Sequence, residues 1–118
     1  EKQRIVMKNA YIRFLNVIDA LDRMNPGRSL DQTELALLEQ VLRSSCDQRP
    51  LLVGDLLKLD QLGSQATLHS RVKNLSALGY VKLVTDKQDG RKKFVVPTKL
   101  GQKYIQFMSE CLEKAMKV

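Results

Sequence analysis

The sequence has little of what metal and catalytic sites are made from. Among 118 residues it contains two cysteines, Cys46 and Cys111, and a single histidine, His69. Two widely spaced cysteines are too few for a four-ligand metal site, and a lone histidine cannot by itself anchor a catalytic triad. Asp55 and Asp60 have no nucleophile near them in sequence, and neither a P-loop nor a GxGxxG motif is present. We therefore predict that the protein is not an enzyme and has no catalytic residue, metal site or cofactor.

Long apolar runs are missing as well. No stretch approaches the roughly 20 apolar residues that a membrane-spanning helix needs, and no signal peptide is visible. The hydrophobic fraction of 43% and the charged fraction of 28% are typical of a soluble globular protein. We therefore expect a single domain over residues 1–118 with no membrane partner. Free cysteines most often behave as small buried hydrophobes, which is the prediction for both of them.

Acidic residues are scarce in one half of the chain only. Residues 1–60 carry nine basic and nine acidic side chains, whereas residues 61–118 carry eleven basic and four acidic ones. The whole net charge of +7 therefore lies in the second half. A one-sided basic surface indicates a polyanionic partner such as nucleic acid. The plainer interpretation is a solvated lysine-rich face, so the placement of these charges decides between the two.

The charges coincide with a short amphipathic helix that follows Gly63. Ser64 is predicted to cap it, and Leu68, Val72 and Leu75 share one face by the i, i+4, i+7 rule. The opposite face is short, polar and basic and contains no acid; with its flanks it carries Gln65, Ala66, Thr67, His69, Ser70, Arg71, Lys73, Asn74 and Ala77. Gly79 is predicted to end the helix in a left-handed conformation. Such a helix fits the major groove of DNA, where hydroxyl, amide and basic groups meet base edges and phosphates.

A basic β-hairpin is predicted directly after this helix. Tyr80–Thr85 and Phe94–Pro97 are β-branched and aromatic runs, and the segment DKQDGRKK lies between them. We interpret Asp89-Gly90 as the turn signal, with the glycine supplying the positive φ that tight hairpin turns require. A basic hairpin in this position is typical of the wing of a winged helix-turn-helix.

The remaining segments complete that pattern. Residues 3–24 are predicted to form a helix that is apolar over much of its circumference and therefore needs cover on more than one side. Asp31 and Glu34 are predicted to form a capping box for a second helix, and residues 49–52 a short strand that pairs with the hairpin. Residues 53–59 form a compact helix and residues 98–117 a last helix capped by Thr98. Four leucines near the turn are predicted to lie in the core: Leu56, Leu57, Leu59 and Leu62.

The stretch from Leu30 to Tyr104 resembles the MarR-type (multiple antibiotic resistance regulator) winged-helix transcription factors. The resemblance rests on three segments, SQATLHSRVKNLSALGYV, DKQDGRKK and PTKLGQKY. It implies that an arginine of the wing, here Arg91, enters the minor groove and that an acid two residues earlier, here Asp89, steadies it. It also implies a homodimer in which the N- and C-terminal helices interleave with those of a partner.

Together these observations predict an α+β, mainly helical fold: a winged helix-turn-helix with a small antiparallel sheet and flanking dimerisation helices. Residues 30–97 form the helix-turn-helix and wing, and residues 1–25 and 98–118 the dimerisation helices. The predicted function is a sequence-selective, double-stranded-DNA-binding transcriptional regulator. We expect it to act as a homodimeric repressor in the bacterial cytoplasm, associated with the nucleoid. The alternative is a winged-helix adaptor that binds proteins without sequence-specific DNA binding.

The predicted DNA contacts divide into two kinds. Short polar groups are expected to meet base edges, and basic groups to hold phosphates; the alternative for the polar residues, which the fold context makes the weaker one, is a plain solvent-exposed surface. The predicted set is Ser64, Gln65, Thr67, His69, Ser70, Arg71, Lys73, Asn74, Lys87, Asp89, Arg91, Lys92 and Lys93. A ligand-responsive regulator would need an aromatic-lined cleft, and the chain has only three tyrosines and three phenylalanines. The sequence leaves a small-molecule effector open without indicating one.

Overall fold

Helices and a small sheet follow one another in the order that the sequence predicts. The structure, a computed structural model, describes residues 9–117. Within them the helices are α1 (Ala10–Ala20), α2 (Gln32–Cys46), α3 (Val53–Leu57), α4 (Gln65–Ala77) and α5 (Lys99–Met116). The strands are β1 (Leu51–Leu52), β2 (Val81–Thr85) and β3 (Lys93–Pro97). The predicted class, a mainly helical winged helix with a small antiparallel sheet, is confirmed.

The first helix is shorter at its end than predicted. Asn9 caps α1, because its side-chain oxygen accepts a hydrogen bond of 2.9 Å from the backbone N–H of Tyr11. The helix ends at Ala20, and a single 3₁₀ turn follows over Asp22–Met24. The predicted beginning of this helix, residues 3–8, lies outside the described residues. No residue of α1 is buried.

Local caps fix where the next helices begin. The predicted capping box of α2 is present: Asp31 Oδ1 accepts from Glu34 N at 2.8 Å, and Glu34 Oε1 accepts from Asp31 N at 2.9 Å. Thr98 is confirmed at the start of α5, where its Oγ1 accepts a bond of 3.3 Å from Gly101 N. Asp55 serves the short helix α3 in a similar way, because its Oδ2 accepts from Leu52 N at 3.0 Å.

The three strands form one antiparallel sheet in the order β1-β3-β2. The short strand β1 pairs with β3, with Leu51 opposite Val95, which confirms the strand predicted before α3. On the other side of β3, Leu83 of β2 lies opposite the same Val95. We refer to β2, β3 and the loop of residues 86–92 between them as the wing.

The wing turn differs from its prediction. The two strands are joined by a seven-residue loop, and the turn predicted at Asp89-Gly90 lies inside this loop as a four-residue turn over residues 89–92. Its ends are closed by a hydrogen bond from Asp86 N to Lys92 O (2.9 Å), and Lys92 N donates to Asp89 O (3.0 Å). Among the described glycines only Gly63 and Gly79 have positive φ, so the prediction for Gly90 is wrong. A longer loop can reverse the chain without the left-handed residues that a two-residue turn requires.

Helix α4 ends as predicted. Gly79 has φ +88°, Tyr80 N donates to Leu75 O at 2.9 Å, and Gly79 N donates to Ser76 O at 3.1 Å. This pair of bonds is a Schellman motif, which only a residue tolerant of positive φ completes without strain. The same corner holds the end of the wing, because Thr98 N donates to Tyr80 O at 3.1 Å and Thr98 Oγ1 donates to Gly79 O. The exit of α4 and the start of α5 are thereby joined.

Residues 29–102 form one compact unit with its own core. Buried side chains come from every element packed there: Leu37, Leu38 and Val41 of α2, Leu56 of α3, Leu68, Val72 and Leu75 of α4, and Val81 and Val95 of the sheet. Of the four leucines predicted near the turn, only Leu56 is buried; Leu57, Leu59 and Leu62 are partly exposed. A helix of five residues has room for little more than one fully inward position.

Residues 9–28 and 103–117 make up a second unit. Its buried side chains include Tyr104, Phe107, Cys111 and Ala115 on one side of α5. Burial raises the pKa of the Cys111 thiol, which makes it a poor nucleophile. The prediction that both cysteines are buried is wrong for Cys46, which is exposed because it ends α2 beyond the packed turns. No helix in residues 9–117 combines the length and the apolar character that crossing a membrane requires.

Gly101 should be sensitive to substitution. A Cβ built there would lie 2.4 Å from the backbone oxygen of Tyr80, which is held in the corner described above and cannot easily move. We expect Gly101→Ala to lower the free energy of unfolding by about 1–3 kcal/mol, the range of overpacked core sites. Chemical denaturation monitored by circular dichroism measures the change.

Gly54 provides the matched control. It is also helical, but nothing lies within 4 Å of a Cβ built there, and its φ is not positive. Gly54→Ala should therefore be neutral or stabilise by about 0.4–1 kcal/mol. Equal destabilisation by the two substitutions would show that the contact between Gly101 and Tyr80 is not what makes the corner tight.

Candidate nucleic-acid interface

Helix α4 presents the predicted polar face to solvent. Leu68, Val72 and Leu75 are buried on one side, as their spacing predicts. The predicted residues of the other side that are exposed are Ser64, Gln65, Thr67, His69, Ser70, Lys73 and Asn74. Ser64 is confirmed as the cap: its Oγ accepts from Thr67 N at 3.2 Å and donates to Thr67 Oγ1 at 2.9 Å. The first turn of α4 is thus fixed by its own side chains, and its N-terminal end is open to a ligand.

Two of the predicted contact residues on α4 have partners at the beginning of α2. Arg71 is half-buried, and its Nε lies 2.8 Å from Asp31 Oδ2. Asn74 donates a hydrogen bond through Nδ2 to Glu34, a carboxylate of α2 that is only 4% exposed. These contacts could not be read from the sequence, because the partners are 40 residues apart. Contact of Arg71 and Asn74 with DNA stays a prediction.

The wing holds Arg91 in the open. Its side chain is 92% exposed, and its Nε lies 3.2 Å from Asp89 Oδ1, the acid that the resemblance pairs with it. The same oxygen accepts a bond of 3.0 Å from the backbone N–H of Arg91. These two hydrogen bonds, the backbone one first, hold the pKa of Asp89 below its ordinary value. The carboxylate therefore orients the arginine at the surface and leaves most of its guanidinium accessible.

An open cleft of about 420 Å³ lies between α3, α4 and the wing. Basic side chains reach it from all three: Lys58 after α3, His69 of α4, and Arg91, Lys92 and Lys93 of the wing. Lys73 and Lys87 are exposed outside the cleft. Lys58 was missed by the sequence analysis, since it lies before the turn and only the fold brings it to the wing. The acid in the cleft, Asp55, is occupied by the cap of α3.

The surface around the cleft offers cations and hydrogen-bonding groups. Among residues 9–117 no group of three or more histidine, cysteine or acidic side chains is arranged to hold a metal ion. The cleft instead combines several cations with hydroxyl and amide groups on the neighbouring exposed face of α4. Cations suit phosphates, and short hydrogen-bonding groups on a helix suit base edges.

Solved structures show which fold this is. A transcriptional regulator from Thermotoga maritima, Tm0710, aligns over 95% of this chain and 72% of its own with a TM-score of 0.65 and 22% identity. The DNA complex of MepR from S. aureus aligns over 94% and 82% with a TM-score of 0.63 and 17% identity. The heme sensor PefR from Streptococcus agalactiae, in complex with heme, aligns over 96% and 72% with a TM-score of 0.62 and 23% identity.

The chain has the MarR-type winged-helix fold. Of these three proteins, Tm0710 is a transcriptional regulator, and MepR was solved in complex with DNA. No protein-family model matches the sequence. No curated protein matches it either.

The Asp89–Arg91 contact should be visible in a titration. In the wild-type protein we expect the Asp89 carboxyl to titrate below the ordinary range of aspartate. Arg91→Ala removes the side-chain bond but keeps the backbone N–H, which is the larger cause of the shift. The pKa of Asp89 should therefore rise only part of the way towards its ordinary value, as followed by carbon-13 NMR of the carboxyl group. A complete return to the ordinary value would mean that the backbone bond does not form in solution.

Proposed function

We propose that the protein is a sequence-selective regulator that binds double-stranded DNA as a homodimer and represses transcription. One observation carries the proposal: an exposed, acid-free face of α4 adjoins a cleft lined by four cations, Lys58 after α3 and Arg91, Lys92 and Lys93 of the wing. The fold supports it, because the aligned proteins include transcriptional regulators and a DNA complex. In this proposal α4 enters the major groove and the wing the minor groove.

The proposed contacts follow the geometry of the surface. Gln65, Thr67, His69 and Ser70 are exposed on α4 and would meet base edges. Lys73, Lys87, Lys92 and Lys93, joined by Lys58, would hold phosphates. Arg91 would enter the minor groove, where a narrow groove concentrates negative potential and attracts arginine. Because Asp89 holds Arg91 at the protein surface, less conformational freedom is lost when the arginine binds.

The electrostatics favour DNA over a protein partner. An adaptor that binds proteins would be expected to present a neutral or acidic recognition helix. Here the exposed face of α4 has no acid, and the cationic cleft continues it towards the wing. Neutralising phosphates with these cations releases counterions, so affinity for DNA should fall steeply with salt.

Apolar side chains of the second unit support the proposed homodimer. On α1, Tyr11 is 64% exposed and Leu15 is also open, and nothing on this helix is buried. On α5, Ile105, Leu112 and Met116 are exposed at spacings of seven and four residues, which places them on one face. Exposed apolar stripes of this kind mark surfaces that another protein surface covers. A second copy of this chain would cover both helices symmetrically.

The division of labour between wing and helix can be tested by mutation. Arg91→Ala should weaken binding to every duplex and reduce the slope of log affinity against log salt by about one unit. Gln65→Ala should instead reduce the preference for the selected site over a scrambled one by about 1–3 kcal/mol, because it removes a base-edge contact. Both variants are to be titrated against a duplex selected from random DNA and against its scrambled form at several salt concentrations.

These measurements also separate the two functions considered. If wild-type protein bound neither duplex at low salt, the adaptor alternative would take the place of DNA binding. If Arg91→Ala left all affinities unchanged, the hairpin would not act as a DNA-binding wing.

The dimer makes a separate prediction. Leu112→Glu places a charge within the exposed stripe of α5 and should convert the dimer to a monomer at tens of micromolar protein. Gln106→Glu adds the same charge to the same helix about 100° from Ile105, so the dimer should persist. Sedimentation velocity distinguishes the two states. A monomeric wild-type protein at these concentrations would contradict the proposal.

A further inference from the structure

The two carboxylates that cap α2 also hold the recognition helix. Within the capping box, Asp31 uses only Oδ1 and Glu34 uses only Oε1. Their other oxygens face α4: Asp31 Oδ2 lies 2.8 Å from Arg71 Nε, and Glu34 Oε2 accepts a hydrogen bond from Asn74 Nδ2. We call these four residues the carboxylate bridge. Each acid therefore serves two helices at once.

We propose that Arg71 and Asn74 are positioning residues that set the rotation of α4 about its own axis, and with it the sequence preference, instead of contacting DNA. This inference rests on the proposed DNA-binding function. It replaces the phosphate contact predicted for Arg71 and the DNA contact predicted for Asn74.

The spacing of the two residues suits this role. Arg71 and Asn74 are three residues apart, so they lie on the same side of α4, next to the buried Leu68, Val72 and Leu75. An apolar stripe alone tolerates some rolling, because hydrophobic contact is not directional. The hydrogen bond from Asn74 to Glu34 is directional and resists rolling, and the ion pair of Arg71 with Asp31 adds an attraction on the same side of α4.

Small rotations matter at the DNA surface. Side-chain tips lie roughly 5–6 Å from a helix axis, so a rotation of 20° moves them by about 2 Å. A recognition contact needs its groups within about 0.5 Å of the productive position. A helix free to roll would therefore keep its charge near DNA and lose the hydrogen bonds that distinguish one sequence from another.

Burial makes the Asn74 contact hard to give up. Glu34 is 4% exposed, and a buried carboxylate oxygen without a donor is strongly unfavourable. If Asn74 turned towards a base, Glu34 Oε2 would lose the donor it has in the structure. One N–H group of the Asn74 amide is thus directed inward even though the residue as a whole is exposed.

The charge of Arg71 also favours a positioning role over a phosphate contact. Its guanidinium is paired with Asp31 at 2.8 Å, so its charge is largely compensated before DNA arrives. Lys73, two residues later, is exposed, and no carboxylate among residues 9–117 lies within ion-pair distance of it. Of these two cations on α4, Lys73 should release counterions when DNA binds and Arg71 should not.

Exchanging the carboxylate of Glu34 and the amide of Asn74 tests whether Asn74 is a positioning residue. Asn74→Asp alone sets two carboxylates against each other and should lower the ratio of selected to scrambled affinity by about tenfold, the value of one base contact. Adding Glu34→Gln restores the hydrogen bond with its direction reversed, because the amide at position 34 now donates to the carboxylate at position 74. A glutamine also suits a capping box. The double variant Glu34→Gln, Asn74→Asp should recover the ratio to within about threefold of wild type.

Ser70→Asp is the matched control, because it adds the same charge to the exposed face of α4. Glu34→Gln should not rescue it. Circular dichroism and thermal melting are recorded for each variant, so that a loss of fold is not mistaken for a loss of recognition. A folded double variant that failed to discriminate between the two duplexes would overturn the proposal, since it would show that Asn74 itself is needed at the DNA.

Salt dependence tests the Arg71 half and does not depend on the exchange. Arg71→Gln should leave the slope of log affinity against log salt unchanged while reducing discrimination. Lys73→Gln should reduce the slope by about 0.9, the value of one phosphate contact. A drop of that size in Arg71→Gln would show that Arg71 holds a phosphate and would overturn this half.

The wild-type measurement separates this inference from the function on which it rests. If wild-type protein bound neither duplex, the proposed function would be contradicted, and with it any role of the carboxylate bridge in recognition. If wild-type protein preferred the selected duplex and the folded double variant did not, only the inference about Arg71 and Asn74 would be contradicted, and the proposed function would stand.

Discussion

A buried carboxylate must be paired, and Glu34 is the point at which this requirement shapes the residues around α4. One of its oxygens completes the cap of α2 and the other accepts from Asn74 on α4. Asp31 divides its oxygens in the same way between Glu34 N and Arg71. Because the caps of α2 and the side of α4 share these groups, the beginning of one helix and the rotation of the other are not independent. Glu34 is only 4% exposed, so leaving its carboxylate unpaired would be unfavourable, and this cost maintains the contacts.

The C-terminal end of α4 is fixed by backbone geometry instead of charge. Gly79 completes the Schellman motif, and the carbonyl oxygen of Tyr80 then accepts from Thr98 at the end of the wing. Gly101 fits against the same carbonyl because it has no side chain. The helix and the wing are therefore joined through one corner, and the cleft between them keeps a defined shape. This matters for binding, because a surface that is already ordered loses less entropy when it meets DNA.

The fold brings basic side chains from separate segments of the chain to one surface. Lys58, His69 and the wing cations belong to separate segments, yet they line one cleft. Asp89 is the acid closest to the wing arginine, and its lowered pKa reflects hydrogen bonds that orient Arg91 rather than cancel its exposure. The apolar stripe on α5 is a different kind of surface, with exposed side chains at helical spacing and no cluster of charge. These two surfaces are the ones that we propose to bind DNA and a second copy of the chain, respectively.

The sequence alone determined the features that depend on near neighbours. The caps at Ser64, Asp31 and Thr98 and the buried face of α4 involve residues three to seven positions apart, and helical geometry brings such residues together in any context. The hairpin was also recognisable, although its loop conformation was not, because a seven-residue loop has several ways to reverse the chain. Only the tertiary structure decided that Asn74 meets Glu34, that Lys58 joins the wing and that Cys46 is exposed. These outcomes depend on the packing of segments far apart in the chain, and residue type and local spacing carry no record of which distant partner each side chain meets.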